Sequence, residues 1–212
     1  MVFAQSGIAD VIDAATVYED EPGDNGGIYG EICIGNLSGT GDTRRAFVRF
    51  ELPPIPDGSI VTRVQYELIQ IRPRGGCASC PKTAELLMRR ALSDWEEGLG
   101  GQSNAACGGG SASSGVTWNT RPTVETINSA IQFLPAASGV TITIDTDIGD
   151  DDDGLIEDVQ AWVDNPETNY GWEYRVSDEG TVDNARLINP TSMTIYWAPA
   201  PPFEFSDGFE SP

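Results

Sequence analysis

Alternation of apolar and polar residues with a period of two is the main pattern along this chain, and it predicts β-strands. Turn-forming Gly, Pro, Asn and Asp separate the alternating segments at intervals of roughly 8–12 residues, which is typical of β-sandwiches. Phe47 lies on the otherwise polar face of its segment, so we expect both faces of that strand to be covered. The clearest strands are predicted at residues 14–18, 31–34, 45–52, 61–72, 140–145, 170–174, 185–188 and 191–197.

One segment has helical instead of alternating spacing. Its apolar positions form one stripe, which predicts a short amphipathic helix that caps the sandwich, and they are Leu155, Ile156, Val159, Trp162 and Val163. Acidic residues precede this helix and Asn165-Pro166 ends it. A weaker helical pattern covers residues 123–134. No series of alternating strand and helix units is present, so the predicted fold class is an all-β sandwich with one or two short helices.

The 212 residues fit one large all-β domain. We expect a loose leader at residues 1–13, the sandwich domain at 14–198, and a Pro-rich, aromatic and acidic tail at 199–212. In the tail, Phe203, Phe205 and Phe209 are interleaved with polar and acidic residues. One interpretation of the tail is a disordered end. The alternative is an extended segment that docks on its own domain or adds a strand to a neighbouring copy, which would give a homo-oligomer.

Charge and composition exclude several classes of function. The formal net charge is −21 and the pI is about 4.1, so binding to nucleic acid or to anionic membrane surfaces is disfavoured. No apolar run approaches the roughly 20 residues that span a bilayer, so no membrane insertion is expected. The chain contains no histidine, which excludes a Ser-His-Asp triad, a Cys-His dyad and a histidine-ligated zinc. Catalysis by paired carboxyl groups is not excluded, because there are 33 Asp and Glu residues.

Four cysteines in a chain rich in Gly, Ser, Thr and Asn favour a secreted protein. Residues 1–10 have neither a basic region nor a long apolar region, so they are not an intact secretory signal. The four cysteines allow three pairings. Cys77 and Cys80 have redox spacing but lie in a Pro/Gly loop without a βαβ context, so we favour a structural Cys77–Cys80 bridge together with Cys33–Cys107. Asn36-Leu37-Ser38 matches an N-glycosylation sequon.

A series of segments, in this order and spacing, resembles the DNRLRE domain, a jelly-roll β-sandwich similar to carbohydrate-binding module family 96. The resemblance covers residues 14–197 and implies an extracellular, non-catalytic module of the kind attached to polysaccharide-active enzymes or cell-surface proteins. The segments that carry it are AATVYED, RRAFVRFELPPIPDGSIVTRVQYEL, SDWEEG, GVTWNTRP, LIEDVQAWVDNPETNYGW and TIYW.

Aromatic residues are the candidates for binding carbohydrate, because the C–H groups of a pyranose ring pack well on an exposed aromatic face. Trp162 lies on the apolar helix stripe, and Trp118 and Trp172 belong to the family's structural motifs, so core packing is expected for these three. Trp95 and Tyr170 lie beside loops and are the predicted surface residues that contact a polysaccharide or glycan.

The acidic loop is the candidate metal site, with calcium as a structural ion. Calcium takes six to eight oxygen ligands, and the residues offered are Asp147, Asp150, Asp151, Asp152 and Asp153, with Asp145 and Asp158 nearby. The EF-hand template does not fit, because Gly149 and Gln160 stand at its first and last positions. The alternative is a solvated loop that caps the helix. Asp20, Glu21 and Asp24 form a second, weaker candidate.

The sequence therefore leads to three hypotheses about function. The first is a secreted, non-enzymatic module that binds carbohydrate at a cell surface or in extracellular matrix. The second is a structural subunit of an extracellular filament or surface layer, held by exchange of terminal segments. The third and weakest is a carboxylate-based polysaccharide-active enzyme, since no acid/base pattern is recognisable.

Overall fold

The computed structural model describes residues 4–27, 30–74, 83–100, 107–108, 114–150 and 154–199. Within these ranges the chain forms nine strands, one α-helix and a 3-10 turn. They are β1 (Gln5–Tyr18), β2 (Ile32–Asn36), β3 (Thr43–Glu51), β4 (Ser59–Arg74), β5 (Ala84–Arg90), β6 (Ala130–Leu134), β7 (Val140–Asp147), α1 (Gly154–Asp164), the 3-10 turn Pro166–Thr168, β8 (Trp172–Val176) and β9 (Ala185–Pro199). No helix in the described residues is long and apolar enough to cross a membrane.

The strand order is that of a jelly roll. One sheet has the order β1-β9-β4-β7 and the other has the order β3-β8-β5-β6, with antiparallel neighbours throughout. Strand β1 joins the two sheets, because Gln5–Ala9 pair with β9 and the rest of the strand pairs with β3, with an irregularity between Val11 and Asp13. Strand β2 pairs with both β3 and β9. The predicted all-β sandwich is confirmed.

The core lies between the sheets and is closed by α1. Phe50 packs edge-on against Tyr66 and Trp172, with ring centroids 5.3 and 5.7 Å away. The Tyr174 hydroxyl donates to the Tyr66 oxygen at 3.0 Å, so the buried phenols satisfy each other. Trp162 of α1 is fully buried, and its ring lies 4.5 Å from that of Trp172. The core roles predicted for Trp162 and Trp172 agree with this packing.

Two sequence predictions about secondary structure are wrong. Residues 5–13 are not a loose leader but the first part of β1. Ala9 is fully buried, and a Cβ on Gly7 would come within 2.7 Å of the Pro53 Cβ, so both positions require small residues. Small residues give only a weak hydrophobic pattern in the sequence. The helical pattern near residues 123–134 ends in a strand, β6, because Ala130 and Leu134 face inward while Ile131 and Phe133 face outward.

The connection between β5 and β6 covers the outer face of β1 and β3. Trp95 and Val116 of this connection pack against Ala15, Val17 and Phe47, and Phe47 is fully buried. The expectation that both faces of β3 are covered is therefore confirmed.

Asn25 anchors this connection at its glycine-rich part. The side-chain amide nitrogen of Asn25 donates to the Ser114 carbonyl, and its Oδ1 accepts from the Gly100 N–H, both at 2.9 Å. A Cβ on Gly100 would overlap Asn25, so only glycine allows the backbone to approach this closely.

A disulfide ties the same connection to the sheet. Cys33 of β2 is bonded to Cys107, with their Cα atoms 5.2 Å apart. The Arg44 Nε–H donates to the Cys107 carbonyl at 3.0 Å, which fixes the second half of the bridge against β3. The predicted Cys33–Cys107 pairing is confirmed, whereas Cys77 and Cys80 lie outside the described residues.

Removal of this bridge tests its contribution to stability. The two cysteines are 74 residues apart, and closing a loop of that size in the unfolded chain is worth about 4 kcal/mol in the chain-entropy model. We expect the double variant C33S/C107S to lose about that much free energy of unfolding, measured by urea unfolding without reductant. An unchanged unfolding midpoint would contradict this assignment.

Candidate functional site

Strand ends and loops meet around Arg90, where β5 ends and β8 begins. Arg90 pairs in register with Trp172. The start of α1 lies against the segment that enters β6, because Gly154 approaches Ser129 so closely that a Cβ on Gly154 would lie 2.9 Å from the Ser129 carbonyl oxygen. This close approach brings side chains of α1, β5, β8 and the segment before β6 into one cluster.

Asp158 of α1 is the centre of that cluster. It is 7% exposed, and its Oδ2 accepts the indole N–H of Trp172 at 2.7 Å. Its Oδ1 lies 3.4 Å from Arg90 Nε, while Arg90 Nη2 lies 3.2 Å from Glu125 Oε1. One guanidinium therefore joins two carboxylates from different parts of the chain, and it fixes α1 and the segment before β6 to the end of β5.

Burial raises the pKa of Asp158 above its usual value. The raising effect of desolvation is opposed by hydrogen bonds from Ser129 and Trp172 and by the charge of Arg90, and the nearby Glu125 carboxylate adds to the rise. The charged form of Asp158 is therefore desolvated at a cost, and it depends on the partners that surround it.

Two adjoining cavities meet at Arg90, and together we call them the Arg90 cleft. The smaller, of about 170 Å³, is lined by Arg90, Glu125, Ile127, Asn128, Ser129, Gly154, Glu157 and Asp158. The larger, of about 350 Å³, is lined by Arg90, Ala91, Leu92, Thr168 and Tyr170. Apolar surface in the cleft comes from half-buried Tyr170 and from exposed Leu92 and Ile127. The cleft therefore combines a few apolar side chains with convergent polar groups, as small-ligand sites do.

The structure separates the two aromatic residues predicted to contact carbohydrate. Tyr170 lines the cleft, but Trp95 is 6% exposed, so the prediction that Trp95 is a surface residue is wrong. The β5–β6 connection folds back over the sheet and packs the Trp95 ring against Phe47, and the Arg49 guanidinium carbon lies over the ring, 5.0 Å from its centroid. The Trp95 indole N–H donates to the Tyr170 carbonyl at 2.7 Å, so Trp95 supports the backbone of the cleft without lining it.

Among the described residues of the acidic loop, Asp145, Asp147 and Asp150 do not line the Arg90 cleft. Asp145 is bound by Arg63, whose Nε donates at 2.7 Å, and Asp150 Oδ2 accepts the backbone N–H of Asp147 at 2.9 Å. In the part of the chain that the structure describes, no three acidic or cysteine side chains gather as metal ligands. Calcium in this loop stays a prediction, because Asp151, Asp152 and Asp153 lie outside the described residues.

Two other predicted features have different outcomes. Asn36 of the sequon is 2% exposed, and its amide nitrogen donates to the Gly39 and Glu179 carbonyls at 2.8 and 3.0 Å, so its side chain is occupied by the fold. The tail residues Phe203, Phe205 and Phe209 lie outside the described residues.

Arg90, Glu125 and Asp158 are the candidate residues that sequence reasoning missed in this role. A signal existed for Asp158, since it follows Leu155 by three residues and precedes Trp162 by four, which places it on the buried face of α1. Arg90 and Glu125 gave no comparable signal, because their meeting depends on the path of the long β5–β6 connection.

Comparison with known proteins adds no further assignment. No protein-family model matches the chain, and no curated protein matches it. The resemblance to the DNRLRE domain therefore stays a prediction from the residues.

The pKa of Asp158 predicts how stability depends on pH. Since the folded-state pKa is raised, the folded protein binds this proton more tightly than the unfolded chain does, and the associated cost to stability disappears as the pH falls through that pKa. D158N lacks this proton equilibrium. We expect wild type to gain stability relative to D158N as the pH is lowered from neutral toward about 3.9, the unfolded aspartate value.

Urea unfolding of both proteins across this pH range measures the difference, and wild type and D158N share every other titrating group. The assigned environment of Asp158 would be contradicted if the difference in free energy of unfolding between wild type and D158N stayed constant, or if wild type lost stability relative to D158N in acid.

Proposed function

We propose that this protein is a secreted, non-catalytic module that binds neutral carbohydrate through the Arg90 cleft. The observation that carries the proposal is the pairing of apolar surface from Tyr170 and Leu92 with the charged and amide groups around Arg90. The apolar side chains match the C–H faces of a sugar ring, and the polar groups match its hydroxyls. The buried disulfide and the resemblance to a carbohydrate-binding family support an extracellular setting.

The charges of the cleft favour uncharged sugars. Among the described residues, the cleft is lined by three carboxylates, those of Glu125, Glu157 and Asp158, and by one cation, Arg90. The whole chain carries a net charge of −21. An acidic sugar would meet repulsion both at a distance and in the site. A neutral sugar does not meet this repulsion, and its hydroxyl groups donate hydrogen bonds to the carboxylate oxygens.

Binding is favoured over catalysis because two of the three carboxylates that line the cleft, those of Glu125 and Asp158, are already engaged. Arg90 holds both Glu125 and Asp158, and Asp158 also accepts the Trp172 indole N–H. A general acid/base pair needs carboxyl groups that reach the scissile bond, and here the same guanidinium holds both groups.

Substitution of Tyr170 tests the proposal. Wild type is expected to be retained on neutral glycans of an array, and Y170A is expected to bind roughly tenfold more weakly, a loss of about 1.4 kcal/mol, because the apolar face is removed. The backbone carbonyl that accepts from Trp95 remains in Y170A.

Y196A is the matched control, since Tyr196 is a half-buried tyrosine of β9 that packs under Arg63, outside the cleft. Wild type that binds no glycan on a broad array, or Y170A that binds as Y196A does, would overturn the proposal.

A second candidate function, as a structural subunit of an extracellular assembly, is favoured by strand β6. This strand is the outermost of its sheet, and its outer face exposes Ile131 and Phe133 by 48% and 57%. An edge strand with exposed apolar side chains is a template for pairing with a strand from another chain. The partner in this hypothesis is a second copy of the protein.

A charge at the edge tests the assembly hypothesis. We expect wild type to self-associate at high concentration and F133K to stay monomeric, measured by light scattering, because a lysine on an edge strand opposes strand pairing. I8K is the control, as Ile8 is 61% exposed on β1. Wild type that is monomeric at every concentration would exclude this function.

A further inference from the structure

An apolar groove of about 450 Å³ lies between the β3–β4 loop and the end of α1, and we call it the loop–helix groove. Its wall includes Pro53, Pro54 and Ile55 of the loop, Val163 of the helix and Ile12 of β1. Ile12 is 48% exposed, Pro54 is exposed, and Ile55 and Val163 are half-buried, so this wall is accessible from outside the fold. Accessible apolar surface of this kind marks a place where another segment or molecule binds.

The charges of the groove do not select an ionic ligand. Among the described residues that line it, only Arg49 and Glu51 are charged, and their charges cancel. The Arg49 guanidinium is already paired with Asp94, at 2.8 Å. What the wall offers is therefore apolar surface, and the occupant that fits it brings apolar side chains.

Strand β9 ends beside this groove. Pro199, its last residue, pairs with Ser59, which follows the β3–β4 loop at the start of β4. A Cβ on Gly7 would lie 2.7 Å from the Pro53 Cβ and 3.1 Å from Trp197 Cη2, so the end of β9 and the loop that forms the wall meet at one point. The chain that follows Pro199 therefore starts next to the groove.

The tail is long enough to enter the groove. An extended chain spans about 3.3 Å per residue, so Phe203 and Phe205 can lie up to about 13 and 20 Å from Pro199. Ile55 precedes Ser59 by four residues, so it lies within about 13 Å of Ser59 by the same measure, and Ser59 is about 5 Å from its strand partner Pro199. The reach of the tail therefore covers the groove wall at Ile55.

The order of residues in the tail matches an apolar groove that is open to water on one side. Side chains of an extended segment alternate between two faces, so Phe203 and Phe205 share one face while Glu204 and Ser206 share the other. The two phenyl rings can then face the apolar wall while the Glu204 carboxylate stays in water. Pro201-Pro202, just before them, favour an extended backbone.

We propose that the C-terminal tail docks on its own domain, with Phe203 and Phe205 in the loop–helix groove. The occupant is the tail of the same chain, because β9 ends at the wall of the groove. Docking also brings the tail against the segment that carries Tyr170, since Pro166 lines the groove and Tyr170, four residues later, lines the Arg90 cleft. The proposal does not rest on carbohydrate binding.

The ¹⁹F spectrum of the full chain, with 4-fluorophenylalanine at its seven Phe positions, tests this proposal. The spectra of F203L and F205L identify the two resonances. Both are expected to differ in chemical shift from the same residues in a labelled synthetic peptide of residues 200–212, because a docked ring exchanges water for the apolar wall. Resonances of the full chain that coincide with those of the free peptide would overturn the proposal.

A carboxylate in the groove wall supplies the second arm. V163E is expected to return both resonances to their peptide values, whereas A161E, at a half-buried position of α1 that does not line the groove, is expected to keep the shifts. I12E repeats the test at an exposed position of the wall. Unchanged resonances of Phe47 and Phe133 show that each variant is folded. Shifts that persist in both V163E and I12E would overturn docking in this groove.

Dilution separates docking within one chain from docking on a second copy. Shifts that stay constant as the protein is diluted, in samples that are monomeric by light scattering, support docking within the chain. Shifts that return toward the peptide values on dilution would place the tail on a second copy and would contradict the proposal.

Discussion

The end of the sandwich that carries the Arg90 cleft depends on the burial of one carboxylate, that of Asp158. A buried charge is tolerated only with partners, and the partners here come from three places: the Trp172 indole of β8, the Arg90 guanidinium of β5 and Ser129 beside β6. The requirement to satisfy one side chain therefore fixes the start of α1 against two strands of the second sheet. Removal of any partner would leave the charge less compensated, so these elements are held in one arrangement.

The jelly-roll order explains why this arrangement forms here. Strands β5 and β8 are neighbours in space, although β5 ends at Arg90 and β8 begins only at Trp172. Helix α1 connects β7 of one sheet to β8 of the other, and its apolar stripe closes the core through Val159 and Trp162. The same crossing places Thr168 and Tyr170 in the wall of the Arg90 cleft. The cleft thus results from the way the helix closes the sandwich.

The sequence predicted the features that depend on local periodicity. The alternating strands, the apolar stripe of α1 and the burial of Trp162 follow from spacing alone, whereas the burial of Trp172 was expected from the resemblance to the DNRLRE domain. The predicted helix at residues 123–134 is wrong because its apolar spacing placed Ile127 and Ile131 on one stripe with Val124 and Leu134, whereas both isoleucines are exposed, by 78% and 48%. The first part of β1 was missed because its inward residues, Gly7 and Ala9, are small.

The candidate site was less predictable, because it depends on contacts between distant segments. Trp95 could not be recognised as buried from its neighbours, since the path of the β5–β6 connection decides its surroundings. The meeting of Arg90 with Glu125 depends on the same path. The four cysteines allow three pairings. The loop context of Cys77 and Cys80 favoured the one that contains Cys33–Cys107, and the fold forms this bridge by placing β2 beside the returning connection.

A double-mutant cycle between Arg90 and Asp158 tests most directly whether the buried carboxylate governs this end of the molecule. R90M leaves an ionised Asp158 without its cation, so it is expected to destabilise the protein at neutral pH. Adding D158N to R90M is expected to restore stability, with a coupling of about 1–3 kcal/mol, because the neutral amide still accepts the Trp172 indole N–H. Urea unfolding of the four proteins measures this coupling. The account would be contradicted if the losses in free energy of unfolding simply added, so that D158N cost the same stability in wild type as in R90M.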